Sequence, residues 1–227
     1  MKELANESNF MEYNQKWIFP KLIASSYDPT FVDECQSDIV EYGREQVYRG
    51  NNENEKILPA NAFDGGWCLG INYQPPTCES CGDGRSEMPH LERVINQIKQ
   101  TCYDAYGIYQ GLPITVYSQW MNWTKPLGYA IGHIHGSTSM LTGAYFIDIP
   151  ENSGDLFFED VGMEIMPTCG YQDDTVAKNT ENNINTYYQH KPRNGECVIF
   201  HPMIRHRVGT NNSELPRVSL AFDLRLG

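Results

Sequence analysis

The chain has no run of basic residues, no apolar stretch long enough to cross a bilayer, and no even set of cysteines. Each absence removes a class of function. With 17 Lys and Arg against 29 Asp and Glu, the formal net charge is −12, so nucleic acid and anionic membrane would repel the chain rather than collect it. A helical span needs about 20 consecutive apolar residues, and the N-terminal Met1-Lys2-Glu3-Leu4-Ala5 has no apolar core of signal-peptide length. The expectation is a soluble, cytoplasmic protein with no nucleic-acid or membrane partner. Seven scattered cysteines fit reduced thiols better than a disulfide framework. Only Cys78 and Cys81 are closely paired; no second pair completes a tetrahedral zinc site, and the neighbouring Pro75, Pro76 and Gly82 mark a loop. There is no internal repeat.

What the chain does have is size, apolar content and a change of period. With 227 residues, 40% of them hydrophobic, it can bury one sizeable core. The reading is a single domain over 1–227, with 1–112 as N-terminal support and 113–227 as a β core. Trp17 to Ala24 reads as an edge strand interrupted at Pro20. After Asp28-Pro29, the spacing of Phe31, Cys35, Ile39 and Tyr42 predicts a helix to about Arg49. Asn51 to Glu87 is rich in Asn, Gly and Pro, with apolar islands at Ile57-Leu58 and at Trp67 to Ile71, and reads as loops with one short strand. A second amphipathic helix, 89–106, carries Leu91, Val94, Ile95, Ile98 and Cys102 on one stripe.

From Pro113 the period becomes two, with Ile114, Val116, Ser118 and Trp120 opposing Thr115, Tyr117, Gln119 and Met121. Strands are expected at 141–149, 155–160, 184–190, 196–201 and 217–226. That count suits mainly β structure with supporting helices, a double-stranded β-helix of the jelly-roll or cupin-like kind. The polar stretch 161–183 is long for a connection and reads as a disordered loop or a substrate-covering lid.

The residues able to carry chemistry lie in the β half. In Gly132-His133-Ile134-His135-Gly136 an extended backbone projects His133 and His135 to one side. A closed barrel brings His206 to join them, making three imidazoles in one cavity a candidate metal site. Arg217 and Ser219 share a face of the last strand, opposite Val218, Leu220 and Phe222. A guanidinium fork with a hydroxyl beside it suits the carboxylate of a small dicarboxylic acid.

These motifs resemble the Fe(II)/2-oxoglutarate-dependent oxygenases. The likeness rests on His133-x-His135 before Leu141-Thr142-Gly143-Ala144-Tyr145-Phe146, on Gly195-Glu196-Cys197-Val198-Ile199-Phe200-His201-Pro202, and on His206 followed by Arg217-Val218-Ser219. It covers roughly 113–227 and is nearest to a group with many phage and bacterial members. The resemblance implies iron on His133 and His206, the 2-oxoglutarate C5 carboxylate on Arg217 with help from Ser219, and Tyr117, Asn122 and Trp123 near the cosubstrate. It further implies a dioxygenase that uses O2 to hydroxylate a small molecule or an amino-acid or peptidyl C–H bond, releasing succinate and CO2.

One departure stands out. The family's usual His-x-Asp is His-x-His here, so the third ligand is His135, or a nearby acid such as Asp160, or the position stays open. Asp160 shares a strand face with Leu156 and Phe158, yet it also suits a turn before Gly162. Two competitors remain. A cupin-like metalloprotein or dioxygenase without 2-oxoglutarate would want a glutamate after His-x-His, absent from 137–142, and gives Arg217 no task. A non-enzymatic barrel would bind no stoichiometric iron.

Overall fold

The computed structural model describes residues 22–53, 63–70, 88–106, 113–136, 138–159 and 187–226. Cys78, Cys81, Asp160 and the stretch 161–183 lie outside them. Nine strands form one antiparallel, curled sheet in the order β1-β7-β4-β9-β3-β8-β5-β6, with β2 paired to β3. The strands are β1 Ile23–Tyr27, β2 Phe63–Gly70, β3 Ile114–His133, β4 Leu141–Asp148, β5 Leu156–Glu159, β6 Tyr187–His190, β7 Glu196–Phe200, β8 Arg205–Val208 and β9 Arg217–Leu226. Helix α1, Ser37–Glu53, follows a π-helical turn at Val32–Gln36, and helix α2 is Leu91–Tyr106.

The two faces of the larger half of the sheet do different work. Leu220, Phe222 and Leu224 of β9, Tyr145 and Ile147 of β4, and Cys197 and Ile199 of β7 are buried against the helices. The α2 stripe of Leu91, Val94, Ile95, Ile98 and Cys102 is 0–3% exposed, and each such side chain contributes about 1.5–3 kcal/mol of burial before ordering costs. Tyr145 reaches through this layer and donates its hydroxyl to Gln97 of α2 at 2.8 Å. The opposite, concave face holds a second cluster, Phe146, Leu156, Phe158, Val198, Phe200 and Ile204, between the two halves of the sheet.

Strand β3 joins those halves. From Ile114 to Thr124 it pairs with β9, and from Ala130 to His133 it pairs with β8. Between them the chain passes Pro126 and Leu127, the latter at φ 65°, where a regular ladder is impossible. Asn211 covers the gap: its backbone exchanges hydrogen bonds with Leu127 and Gly128, and its buried side-chain amide donates to the Thr124 and Leu215 carbonyls at 3.1 and 2.9 Å. Sequence period alone separates Ile114–Met121 from the His-x-His segment, because proline and glycine read as strand breakers. The tertiary contacts of Asn211 override that local preference.

Two further boundaries differ from expectation. The first described strand begins at Ile23 and pairs with β7 as an edge; residues 17–21 lie outside the described residues. Strand β8 is too short to show a period, and its pairing to β3 and β5 defines it.

Gly143 of β4 lies where a Cβ would meet the Val198 carbonyl oxygen at 2.2 Å and the Phe222 ring at 2.6 Å. Backbone cannot swing aside as a flexible side chain does. Gly143→Ala should therefore lower stability by about 1–3 kcal/mol, read as a lower urea midpoint without a change of slope.

Candidate metal and cosubstrate site

His133 ends β3 directly opposite His206 of β8, and their rings lie 4.3 Å apart between centroids. His135 follows two residues on, beyond the strand, with its backbone N–H donated to the Pro202 carbonyl at 2.9 Å. Its ring lies 5.1 Å from that of His206 and 5.5 Å from that of His133. One ligand atom from each histidine falls within 4.8 Å of the other two. A metal ion bridging imidazoles needs this convergence.

Hydrogen bonding decides which nitrogen each ring can offer. The Nδ1–H of His133 donates to the Ile131 carbonyl at 2.8 Å, and that of His206 to the Ile204 carbonyl at 3.0 Å. His135 instead donates Nδ1–H to the Asp223 carboxylate at 2.8 Å, shared with the Thr142 hydroxyl at 3.1 Å. With all three Nδ1 atoms committed as donors, each Nε2 keeps a lone pair for a metal. Trp120 stacks against His135 at 5.9 Å, while Phe200 meets His206 edge-on at 4.6 Å.

Electrostatics favour neutral, ligating imidazoles. Burial, followed by the neighbouring His133, pushes the His206 pKa down to about 3. Burial likewise lowers that of His133, with His135 adding to the effect. For Asp223, burial alone would raise the carboxyl, but the hydrogen bond and charge interaction with His135, aided by Ser139, prevail and hold it below its usual value.

Further along β9 lies a second concentration of unmet polarity. Arg217 is 1% exposed. Its Nη1 lies 3.4 Å from the Ser219 hydroxyl, and its Nε and Nη2 have no partner. Among the described residues no carboxylate forms a salt bridge with it. Burial lowers its pKa to about 10, which still leaves the guanidinium charged at neutral pH. Thr124 stands opposite Arg217 and Asn122 opposite Ser219 across the β3–β9 ladder, and Thr124 Oγ1 and Asn122 Oδ1 are buried without partners too. A buried cation among unpartnered polar atoms is costly unless a ligand meets it, and the fork of Arg217 fits a carboxylate.

The other sequence candidates separate clearly. Tyr117 sits at a β3 bulge, at the far end of the β3–β9 ladder from Arg217, with its hydroxyl 2.8 Å from that of Ser139 and 3.3 Å from that of Thr138. Trp123 lies on the opposite face from Asn122 and packs into the helix-side core. His201 is exposed and accepts the Met203 N–H at 3.2 Å, away from the three-histidine cluster. Thr124, Thr142, Ser139 and Asp223 were not singled out in the sequence. The signal for Asp223 was present in the parity of β9, where 217, 219, 221 and 223 share a face.

The architecture is a jelly roll. A prolyl-4-hydroxylase from Pseudomonas putida superposes with a TM-score of 0.52 at 15% identity, covering 90% of this chain and 93% of that one. The carbocyclase SnoK of nogalamycin biosynthesis gives 0.53 at 15% identity, over 88% and 79% of the two chains. A 2OG-Fe(II) oxygenase-family oxidoreductase from Burkholderia pseudomallei gives 0.50 at 12%, over 90% and 85%. By sequence, residues 118–223 match the family described as "Putative 2OG-Fe(II) oxygenase". Over that segment the chain is similar to the 2OG-Fe(II) oxygenases. A comparison with curated proteins finds no match. Among the described residues no helix is long and apolar enough to cross a membrane.

The depressed His206 pKa has a consequence for the metal-free chain. Below the usual histidine value of 6.5 the unfolded chain takes up a proton that folded His206 refuses until about pH 3. The unfolded state therefore binds more protons in this window, and stability falls as pH drops through it. His206→Gln should flatten that fall in metal-free urea titrations between pH 6.5 and 4; an unchanged slope would place the proton uptake elsewhere.

Proposed function

We propose that this chain hydroxylates a C–H bond of a small molecule or of an amino-acid or peptidyl side chain, coupled to conversion of 2-oxoglutarate and O2 into succinate and CO2. His133, His135 and His206 hold the iron through Nε2, and Arg217 with Ser219 holds the far carboxylate of 2-oxoglutarate. The observation that carries this reading is the buried Arg217 guanidinium with two unpartnered nitrogens, on the same barrel wall as the residues beside the histidine cluster. A buried charge without an internal partner implies an anionic ligand in the working protein.

The residues present fit both groups. Three imidazoles whose Nδ1 atoms are committed as donors would hold the metal through their Nε2 lone pairs. Iron(II), when bound, activates O2 at the keto acid for attack on an otherwise unreactive C–H bond. The chain's own part is positioning. The carbonyls of Ile131 and Ile204 lock two rings, and the Arg217 fork, backed by the Phe146 ring 5.4 Å from its Cζ, draws a dicarboxylate into one orientation. Asn122 and Thr124 line the same pocket, where they offer partners to the bound acid. The concave cluster of Phe146, Phe158 and Phe200 keeps the surroundings apolar, which strengthens each of these contacts. One structural relative, the epimerase SnoN, has been solved in complex with Fe3+ and alpha-ketoglutarate, which supports the same pairing here.

The test is anaerobic addition of Fe(II) and then 2-oxoglutarate, following the visible charge-transfer band of the chelate, with succinate measured on admitting air. The wild-type chain should develop the band and His206→Ala should not. Arg217→Met should need about 10–100-fold more 2-oxoglutarate, the equivalent of losing charge-assisted hydrogen bonds. Its ligand-free form should be at least as heat-stable as wild type, because a buried unpaired charge has been removed. Unchanged 2-oxoglutarate dependence in Arg217→Met would exclude the assigned carboxylate site.

A further inference from the structure

The three histidines are not held alike. His133 and His206 each donate Nδ1–H to a carbonyl two residues back in their own chain segment. His135 alone donates to a carboxylate, Asp223, 88 residues away in sequence. It is also the one of the three outside a strand, so no ladder sets its ring. Asp223 also accepts a hydrogen bond from Ser139, whose hydroxyl lies 2.8 Å from that of Tyr117. Thr142 donates to the Phe222 carbonyl at 2.9 Å and turns its lone pair to His135. Such a fixed and largely buried network is more than a chance surface contact.

We propose that Asp223 is a positioning residue of the metal centre, the carboxylate that orients His135 from behind and supplies through it the negative charge that a three-histidine site lacks. This rests on the three-histidine iron site proposed above. Two histidines and one carboxylate are the ordinary donor set for a non-haem iron oxygenase, and a third neutral imidazole leaves the centre one charge more positive. A carboxylate accepting Nδ1–H fixes the tautomer that leaves the Nε2 lone pair available and makes that nitrogen a stronger donor. The negative charge is thus kept at the site, one imidazole further from the metal. Tyr117 and Ser139 belong to the same device, because Ser139 donates to Asp223 and its own hydroxyl is met by that of Tyr117.

Metal affinity tests this without turnover. Co(II) titrated anaerobically into the full chain, followed by its visible absorption, should bind about 10–100-fold more weakly in Asp223→Asn, with affinity partly recovered in Asp223→Glu. The same change made in a His135→Asp background, where a carboxylate stands at the ligand position itself, should cause no such loss. Asp223→Asn within twofold of wild type, or equal losses in both backgrounds, would overturn the proposal while leaving the three-histidine site intact. Failure of wild type to take up Co(II) would overturn both.

A second measurement does not require the variants to fold. In the Zn(II)-loaded wild-type chain labelled with 15N-histidine, His135 should show a metal-bound Nε2 and a protonated Nδ1. Metal on Nδ1, or a His135 ring without metal, would equally overturn the assignment.

Discussion

The structure depends on one strand serving both halves of the sheet. Strand β3 gives its first half to β9 and its last residues to β8, and each pairing builds one of the two polar sites. The β9 pairing puts Thr124 and Asn122 beside Arg217 and Ser219; the β8 pairing puts His133 against His206. If the chain broke at Pro126, as its local preferences suggest, the two halves would have no fixed relation. Asn211 prevents this by satisfying backbone groups on both sides of the irregularity, which lets a segment with a positive-φ leucine remain part of the barrel wall.

The concave face carries a deliberate electrostatic imbalance. The chain as a whole is strongly acidic, yet the barrel buries a guanidinium with no salt-bridging carboxylate among the described residues and, at His133 and His206, two imidazoles that burial keeps from taking protons. The acid on this wall, Asp223, is occupied by His135. The proposed cosubstrate, a small dianion that also binds metal, would answer both demands, one end at the fork and the other at the ion. Until such a ligand arrives the unmet charge costs stability, a cost the helix-backed apolar core on the other face of the same sheet offsets.

The interval between the His-x-His and Arg-x-Ser motifs is where sequence reasoning was strongest and also where it stopped short. Parity along β9 correctly divides Val218, Leu220 and Phe222 from Arg217 and Ser219, and the helical stripe of α2 is buried as its spacing implies. The same parity extended by four residues would have reached Asp223, but the alternation is broken by Ala221 and an aspartate near a strand end reads as a surface group. Tyr117 was associated with the cosubstrate through family likeness; the bulge at 116–118 turns it toward Ser139 instead, and a bulge has no sequence mark here. Trp123 and Asn122 are neighbours in sequence and opposites in space for the ordinary reason that a strand alternates.

By itself, then, the order of residues determined the elements whose signal is local: an amphipathic helix, a two-residue alternation, a His-x-His pair able to face one way. These follow from backbone geometry that any short segment obeys. Which imidazole faces which carboxylate, and whether an arginine is left without one, was decided only by tertiary structure. His135 and Asp223 are 88 residues apart and meet because β4, β9 and β3 lie side by side. No local rule carries that information, because strand register is set by the burial of whole faces rather than by the residues that finally touch.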